Sequence, residues 1–185
     1  MSNLNSFNIG GGIPVHAERS KRANSGFLIE YLSYLEAAVE RAIDSILAPR
    51  GKIIIEPGRS VVAPSVDLIV PVNGVKPRDN NESLILSIED GIFTSFIDHI
   101  LHDWTYLFRW LDADGNEKTG PLVKATLNGR SCDSGDRIYE VPVPENIERG
   151  DYLWCPNAGA YLSSVSTAFN GFNAHPYITY NSISN

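Results

Sequence analysis

The spacing of apolar residues changes once along this chain, near residue 60, and that change limits the folds open to it. Before it, Leu28, Tyr31, Leu32, Leu35, Val39, Ile43, Ile46 and Leu47 recur at intervals of three and four, with Glu30, Glu36, Glu40 and Arg41 largely on the other side. That spacing places the apolar side chains along one face of a helix. "APRG" (48–51) is expected to end the helix, and "KIIIEPGR" (52–59) reads as a continuous apolar strand that stops at Glu-Pro-Gly. "SFNIGGGIP" (6–14) supplies a short strand ahead of the helix. Strand, helix, strand is a βαβ unit with parallel pairing, whose strands should be buried on both faces.

After residue 60 the runs become short and β-rich: "VDLIVPVNGV", "SLILSIEDGIF", "PLVKATLNG", "RIYEVPVP" and "DYLWCPNAGAYL". Turn signals lie between them at Asn73-Gly74, Asp114-Gly115, Asn128-Gly129 and Arg149-Gly150. The pattern predicts an antiparallel sandwich or barrel, interrupted by one helix-like stretch, "TSFIDHILHDWTYLFRW" (94–110). The expected organisation is an α/β segment over 1–62 followed by an all-β domain over 63–185.

A length of 185 residues suits one domain or two small ones, and 43% hydrophobic residues is a globular composition. A net charge of -7 argues against a nucleic-acid partner, since phosphate binding needs a basic face. "ERSKR" (18–22) is short and reads as a solvated loop. No run of 18 apolar residues is present, so no membrane-spanning helix is expected. The N-terminal "MSNLNSFNIGGGIP" lacks the basic segment and apolar core of a secretion signal. The expectation is a cytoplasmic chain, with Cys132 and Cys155 as free thiols.

Several short motifs carry chemistry, each beside a plainer alternative. Gly10, Gly11 and Gly12 follow a strand and precede a helix, where backbone N–H groups can approach a phosphate, or they form a simple turn. In "EPGR", Glu56 and Arg59 stand at the C-terminal end of a parallel strand, where α/β folds gather ligands, or they pair with each other across a Pro-Gly turn. Cys132-Asp133 offers a thiol that can deliver a proton and a carboxylate for a cationic group, or a buried Cys beside a turn-forming Asp. Tyr161 offers a hydroxyl to a phosphate or sits at the core boundary. His99 and Asp103 share helical i, i+4 spacing, but no third ligand is evident, and no metal is expected. G-x-S-x-G and P-loop motifs are absent.

The order of these motifs says more than any one of them. "FNIGGGIP", "EPGRSVVA", "EDGIFTSF", "CDSGDRI" and "GDYLWCPNAGAYLSSVSTAFNGF" together resemble the C-terminal portion of the fold-type III, pyridoxal-phosphate-dependent ornithine/lysine/diaminopimelate/arginine decarboxylases, over roughly residues 5–180. "CDSGDRI" with "FNGF" is most similar to the ornithine/lysine branch, because the diaminopimelate and arginine enzymes usually carry Glu at the position of Asp133.

The resemblance implies the last strands of a (β/α)₈ barrel followed by a sandwich- or barrel-like β domain, in a dimer with shared active sites. It implies a pyridoxal 5'-phosphate site in which Gly10, Gly11, Gly12, Arg59 and Tyr161 hold the phosphate and Glu56 keeps the ring nitrogen protonated. Cys132 would return a proton to the α-carbon. Asp133 would bind the distal ammonium of a small basic amino acid, and Phe169 would line the same site. Cys132 and Asp133 would reach into the partner's site. A second acid for the distal amine matches Asp103 through "ILHD"; "SFIDHILHDW" is one residue longer than the family's segment, which makes Asp98 a competitor.

A complete barrel takes about 250 residues, and only its last two strands are recognisable here. Lys21, Lys52, Lys76, Lys118 and Lys124 do not match the family's Schiff-base lysine, and its ring-stacking histidine also has no counterpart. Lys52 opens the "KIIIEPG" strand and should lie at the end opposite the site. The chain is therefore expected to work with an N-terminal barrel segment or partner chain. The alternatives are a non-catalytic decarboxylase-like regulatory protein and an inactive, truncated β domain that forms a homodimer.

Overall fold

The computed structural model describes residues 4–15, 25–45, 47–78, 82–102, 104–173 and 175–179. In chain order the elements are β1 (Leu4–Asn8), α1 (Ser25–Ser45), β2 (Leu47–Ile54), α2 (Arg59–Val62), β3 (Leu68–Arg78), β4 (Ser83–Ile88), α3 (Asp98–His102), β5 (Arg109–Leu111), β6 (Leu122–Asn128), β7 (Arg137–Pro144) and β8 (Tyr152–Cys155). Two compact units share them, one of residues 1–69, 105–118 and 152–160, the other of 70–104, 119–151 and 161–185.

In the first unit β1 and β2 pair in parallel, with Ser6 opposite Lys52 and Asn8 opposite Ile54. The strand–helix–strand reading holds, but β2 begins at Leu47, so "APRG" lies within the strand. The register explains this, because Leu4 pairs with Leu47 and Ser6 with Lys52, which leaves an irregular stretch between the two pairings. The expectation that these strands are buried on both faces is overturned. Ile54 is 42% and Ile55 51% exposed, and on α1 Leu32 and Ile43 are 46% and 52% exposed. Ile9, Leu32, Leu35, Val39, Ile53 and Ile55, with Glu36 and Glu40, line an open groove of about 610 Å³ along this helix and sheet.

Elsewhere in this unit β5 pairs antiparallel with β8. Val15, Ala63 and Ala160 form a small buried cluster. Gly159 fits so closely against the carbonyls of Val62 and Ala63 that a Cβ there would clash with backbone. Asp67 accepts hydrogen bonds from Trp154 Nε1 at 3.0 Å and from the Asn157 amide at 3.1 Å. These contacts join "EPGRSVVA" to "CPNAGA".

The second unit is built on a sheet in the order β3-β4-β6-β7. Val70 and Val72 of β3, Leu86 and Ile88 of β4, Leu127 of β6, and Ile138 and Val143 of β7 are at most 1% exposed and form its core. Burying such side chains contributes roughly 1.5–3 kcal/mol each. β3/β4 and β6/β7 are antiparallel, but β4 pairs parallel with β6. The sheet is therefore mixed, not wholly antiparallel. Asn73-Gly74 is not a turn: the register shifts between Val72 and Gly74, so this pair forms a bulge inside β3.

The helix-like stretch over 94–110 reduces to the five residues of α3, followed later by β5. Asp90 organises the start of this stretch. Its Oδ1 accepts from the amides of Gly91 at 2.6 Å and Ser95 at 3.1 Å, and from the Thr94 hydroxyl. One side chain thus organises the turn that opens this stretch.

Candidate active site

The residues singled out in the sequence are divided between the two units. In the first unit the Gly10–Gly12 loop leaves the C-terminal end of β1 beside the end of β2. The Gly10 amide donates to Asn8 Oδ1 at 2.8 Å, and Asn8 Nδ2 donates to Glu56 Oε1 at 2.7 Å. The Glu56 amide donates to the Gly10 carbonyl at 2.8 Å. Gly10 and Gly12 have φ of +77° and +76° and face open space where a Cβ would project. Gly11 packs against the Glu56 carbonyl so tightly that no Cβ fits. Glycine is required here for backbone conformation and for close approach, and the loop's shape is tied to the Glu56 carboxylate.

Arg59 opens α2 and is half-buried. Val15 and Ala63, which follow the glycine loop and α2, meet Ala160 in the buried cluster described above. Tyr161, which belongs to the second unit, is 44% exposed, with φ of +63°. A β-substituted aromatic residue in that region is uncommon and strained. Lys52 pairs with Ser6, four residues before Glu56. Along an extended strand that separates the two by roughly 13 Å.

In the second unit a loop joins β6 to β7. Cys132 and Asp133 are both exposed there, which departs from the plain alternative of a buried cysteine. Asp133 does form a turn: its Oδ1 accepts the Gly135 amide at 2.7 Å, and its carbonyl accepts the Asp136 amide at 3.0 Å. A cavity of about 460 Å³ is lined by Arg78, Ile85, Ser131, Cys132, Asp133 and Arg137, among others. "FNGF" meets this loop, with Asn170 Nδ2 donating to Cys132 Sγ at 3.3 Å. The Phe169 ring packs on Phe93, centroids 4.4 Å apart. Asp98 opens α3 and is 1% exposed, while Asp103 lies outside the described residues.

Sequence reasoning missed the groups that hold this arrangement. Asp136 is buried, and its carboxylate accepts the amides of Ile92 at 2.9 Å and Ser131 at 3.0 Å. Gly91 and Gly129 both abut that carboxylate, leaving no room for a Cβ. Asp90, wholly buried, lies 3.1 Å from His175 Nε2. Arg130 donates to the Asn173 carbonyl at 2.6 Å and lies over the Phe172 ring at 4.8 Å. The local signals were slight: Asn128-Gly129 reads as a turn, and "EDG" falls inside the β-rich run "SLILSIEDGIF". Among the described residues no group of three or more His, Cys, Asp or Glu is placed to hold a metal ion, and no helix is long and apolar enough to cross a membrane.

Comparisons with known proteins bear on what this arrangement is. Residues 15–159 match the family described as "Pyridoxal-dependent decarboxylase, C-terminal sheet domain". The chain is 29% identical over 177 residues to the lysine/ornithine decarboxylase of Selenomonas ruminantium, covering 96% of this chain and 41% of that protein. It is 35% identical over 140 residues to antizyme inhibitor 2 of Xenopus laevis, covering 68% of this chain and 29% of that protein. The crystal structure of lysine/ornithine decarboxylase complexed with cadaverine from Vibrio vulnificus superposes with a TM-score of 0.75 at 28% identity, over 97% of this chain and 45% of that one. The chain thus spans less than half the length of these relatives.

Proposed function

The chain belongs to the pyridoxal-dependent decarboxylase family, whose C-terminal sheet domain it carries, and from that premise we propose that it supplies part of the active site of an ornithine/lysine-type decarboxylase completed by an N-terminal barrel segment. The observation that carries this reading is the Asn8 bridge, which ties the Gly10 amide to the Glu56 carboxylate at the C-terminal ends of paired parallel strands.

The donor set suits pyridoxal phosphate. The glycine loop with open space beside Gly10 and Gly12, the Arg59 guanidinium and the Tyr161 hydroxyl are groups that bind a phosphate. The Glu56 carboxylate is the acceptor a protonated ring nitrogen needs. When bound, the cofactor supplies an electron sink for the pair left behind as CO₂ departs. In this proposal residues 1–62 end the barrel and residues 63–185 form the β domain.

In the β6–β7 loop, Cys132 returns a proton to the substrate α-carbon from an exposed thiol. Asp133 binds the distal ammonium of a small basic amino acid, and Phe169, held by Phe93, bounds the space beside it. Asp103 stays the second amine anchor through "ILHD", since the Asp98 side chain is withdrawn from solvent. In a dimer these groups serve the partner's site. The lysine that carries the cofactor comes from the N-terminal segment. The exposed groove along α1 supports the need for that segment, because a barrel's next strands and helices would cover such a face.

Co-expression with a barrel segment of about 200 residues tests this. The expected result is a yellow complex that releases CO₂ from ornithine or lysine. A co-purified pair with neither colour nor CO₂ release overturns it. Similarity to antizyme inhibitor 2 supports a second reading, a non-catalytic protein that binds a regulatory partner. That reading predicts a stable complex in a pull-down, in which the recovered chain releases no CO₂.

A further inference from the structure

Cys132 sits in an exposed loop, where a thiol side chain ordinarily samples several staggered rotamers. Here one polar contact singles out an orientation: Asn170 Nδ2 donates to Sγ at 3.3 Å. Asn170 has φ of +54°, a left-handed conformation that asparagine and glycine tolerate best. It is followed by Gly171 at φ of +78°. This backbone turns the carboxamide toward the β6–β7 loop.

Both ends of the contact rest on one support, the turn 90–93. On the Asn170 side, the Thr167 hydroxyl donates to the Phe93 carbonyl at 2.7 Å and the Thr167 amide to the same carbonyl at 3.0 Å. The neighbouring Phe169 ring packs on Phe93, and His175 reaches Asp90. On the Cys132 side, the Asp136 carboxylate binds the amide of Ile92 and the amide of Ser131, the residue just before the thiol. Donor and acceptor are thus each fixed to consecutive residues of the same turn. A contact between two separately mobile loops would average out; this one is held from both sides.

We infer that Asn170 is a positioning residue for Cys132, holding its thiol in a single rotamer through the donated carboxamide N–H. The role matters most under the decarboxylase reading, where the thiol must present its proton to one carbon, and its importance for catalysis rests on that reading. The orientation itself belongs to this chain and can be measured without cofactor or substrate.

The experiment measures the Hα–Hβ couplings of Cys132 by NMR in the 185-residue chain and in two variants. Asn170→Asp keeps the shape and the tolerance for positive φ, and its carboxylate can accept the thiol S–H in place of the donated N–H. Asn170→Gly keeps the backbone and removes the side chain. The native chain is expected to show the unaveraged couplings of one staggered rotamer, either one large and one small or two small. Asn170→Gly is expected to lose this pattern and show averaged couplings, Asn170→Asp to keep a single rotamer, while buried Cys155 keeps its native values and so reports an intact fold. Native-like Cys132 couplings in Asn170→Gly would overturn the inference, as would averaged couplings in the native chain. Failure of the decarboxylase reading would appear elsewhere, as absent CO₂ release with the couplings unaffected.

Discussion

His175 Nε2 lies 3.1 Å from Asp90 Oδ2, joining the segment beyond the Phe169 turn to the turn that follows β4. The hydrogen bond to Asp90 raises the imidazole above its ordinary 6.5, against the opposite pull of burial and of nearby Arg130. Burial pushes the Asp90 carboxyl up, but hydrogen bonds from His175, Ser95 and Thr94 outweigh it and leave the group below 3.8.

These directions set a pH window. A raised His175 contributes stability that is complete below pH 6.5 and is lost as pH rises through its folded value. A lowered Asp90 contributes stability that is complete above pH 3.8 and is lost as pH falls through its folded value. The urea midpoint should therefore decline on the alkaline side of 6.5, and His175→Gln should abolish that part of the decline. An unchanged alkaline slope in the variant would remove the pair from the account.

Gly129→Ala should destabilise the second unit. Its Cβ would fall on the Asp136 carboxylate, which cannot retreat without releasing the amides of Ile92 and Ser131. The expected cost is about 1–3 kcal/mol in urea unfolding, the range for overpacking a tight site. Gly150→Ala serves as a contrast: it meets no neighbour, and its cost should come only from the φ of +100°.

Arg59→Ala should weaken binding of pyridoxal phosphate by the completed enzyme. A charge-assisted hydrogen bond contributes roughly 1.5–3 kcal/mol, so the dissociation constant should rise about 10- to 100-fold. Fluorescence titration of the cofactor measures it, and an unchanged affinity would remove Arg59 from the phosphate site.

Cys132→Ala should leave that affinity unchanged while lowering kcat roughly 100-fold or more, the usual contribution of a positioned acid. It should also raise the share of product protonated at the wrong carbon, read by mass spectrometry after reaction in deuterium oxide. Full activity with a normal product would remove the thiol from proton return.

The sequence carried much of this arrangement, and particular residues show where it stopped. The β6 and β7 runs were legible because Asn128-Gly129 and the buried Leu127, Ile138 and Val143 give local signals of strand and turn. The parallel pairing of β4 with β6 was not, since alternation along a strand is the same whichever way its neighbour runs. Cys132 and "FNGF" stood out through the order of motifs, but the contact between Cys132 and Asn170 spans 38 residues and has no local signature. Asp136 carries no local sign of its role, because its partner amide at Ile92 is 44 residues away. The exposure of Ile54 and Ile55 could not be read from composition, because an apolar run looks the same whether or not another layer covers it.

The turn at 90–93 has a consequence for how this protein can change over time. Because Asp90, Ile92 and Phe93 anchor both the loop before β7 and the segment around Phe169, those two distant stretches share one local unfolding event. Neither can drift independently: a substitution tolerated in one must keep the geometry the other depends on. Amide hydrogens in the two stretches should exchange at a common rate, as a single cooperative unit, although more than 30 residues separate them in the chain.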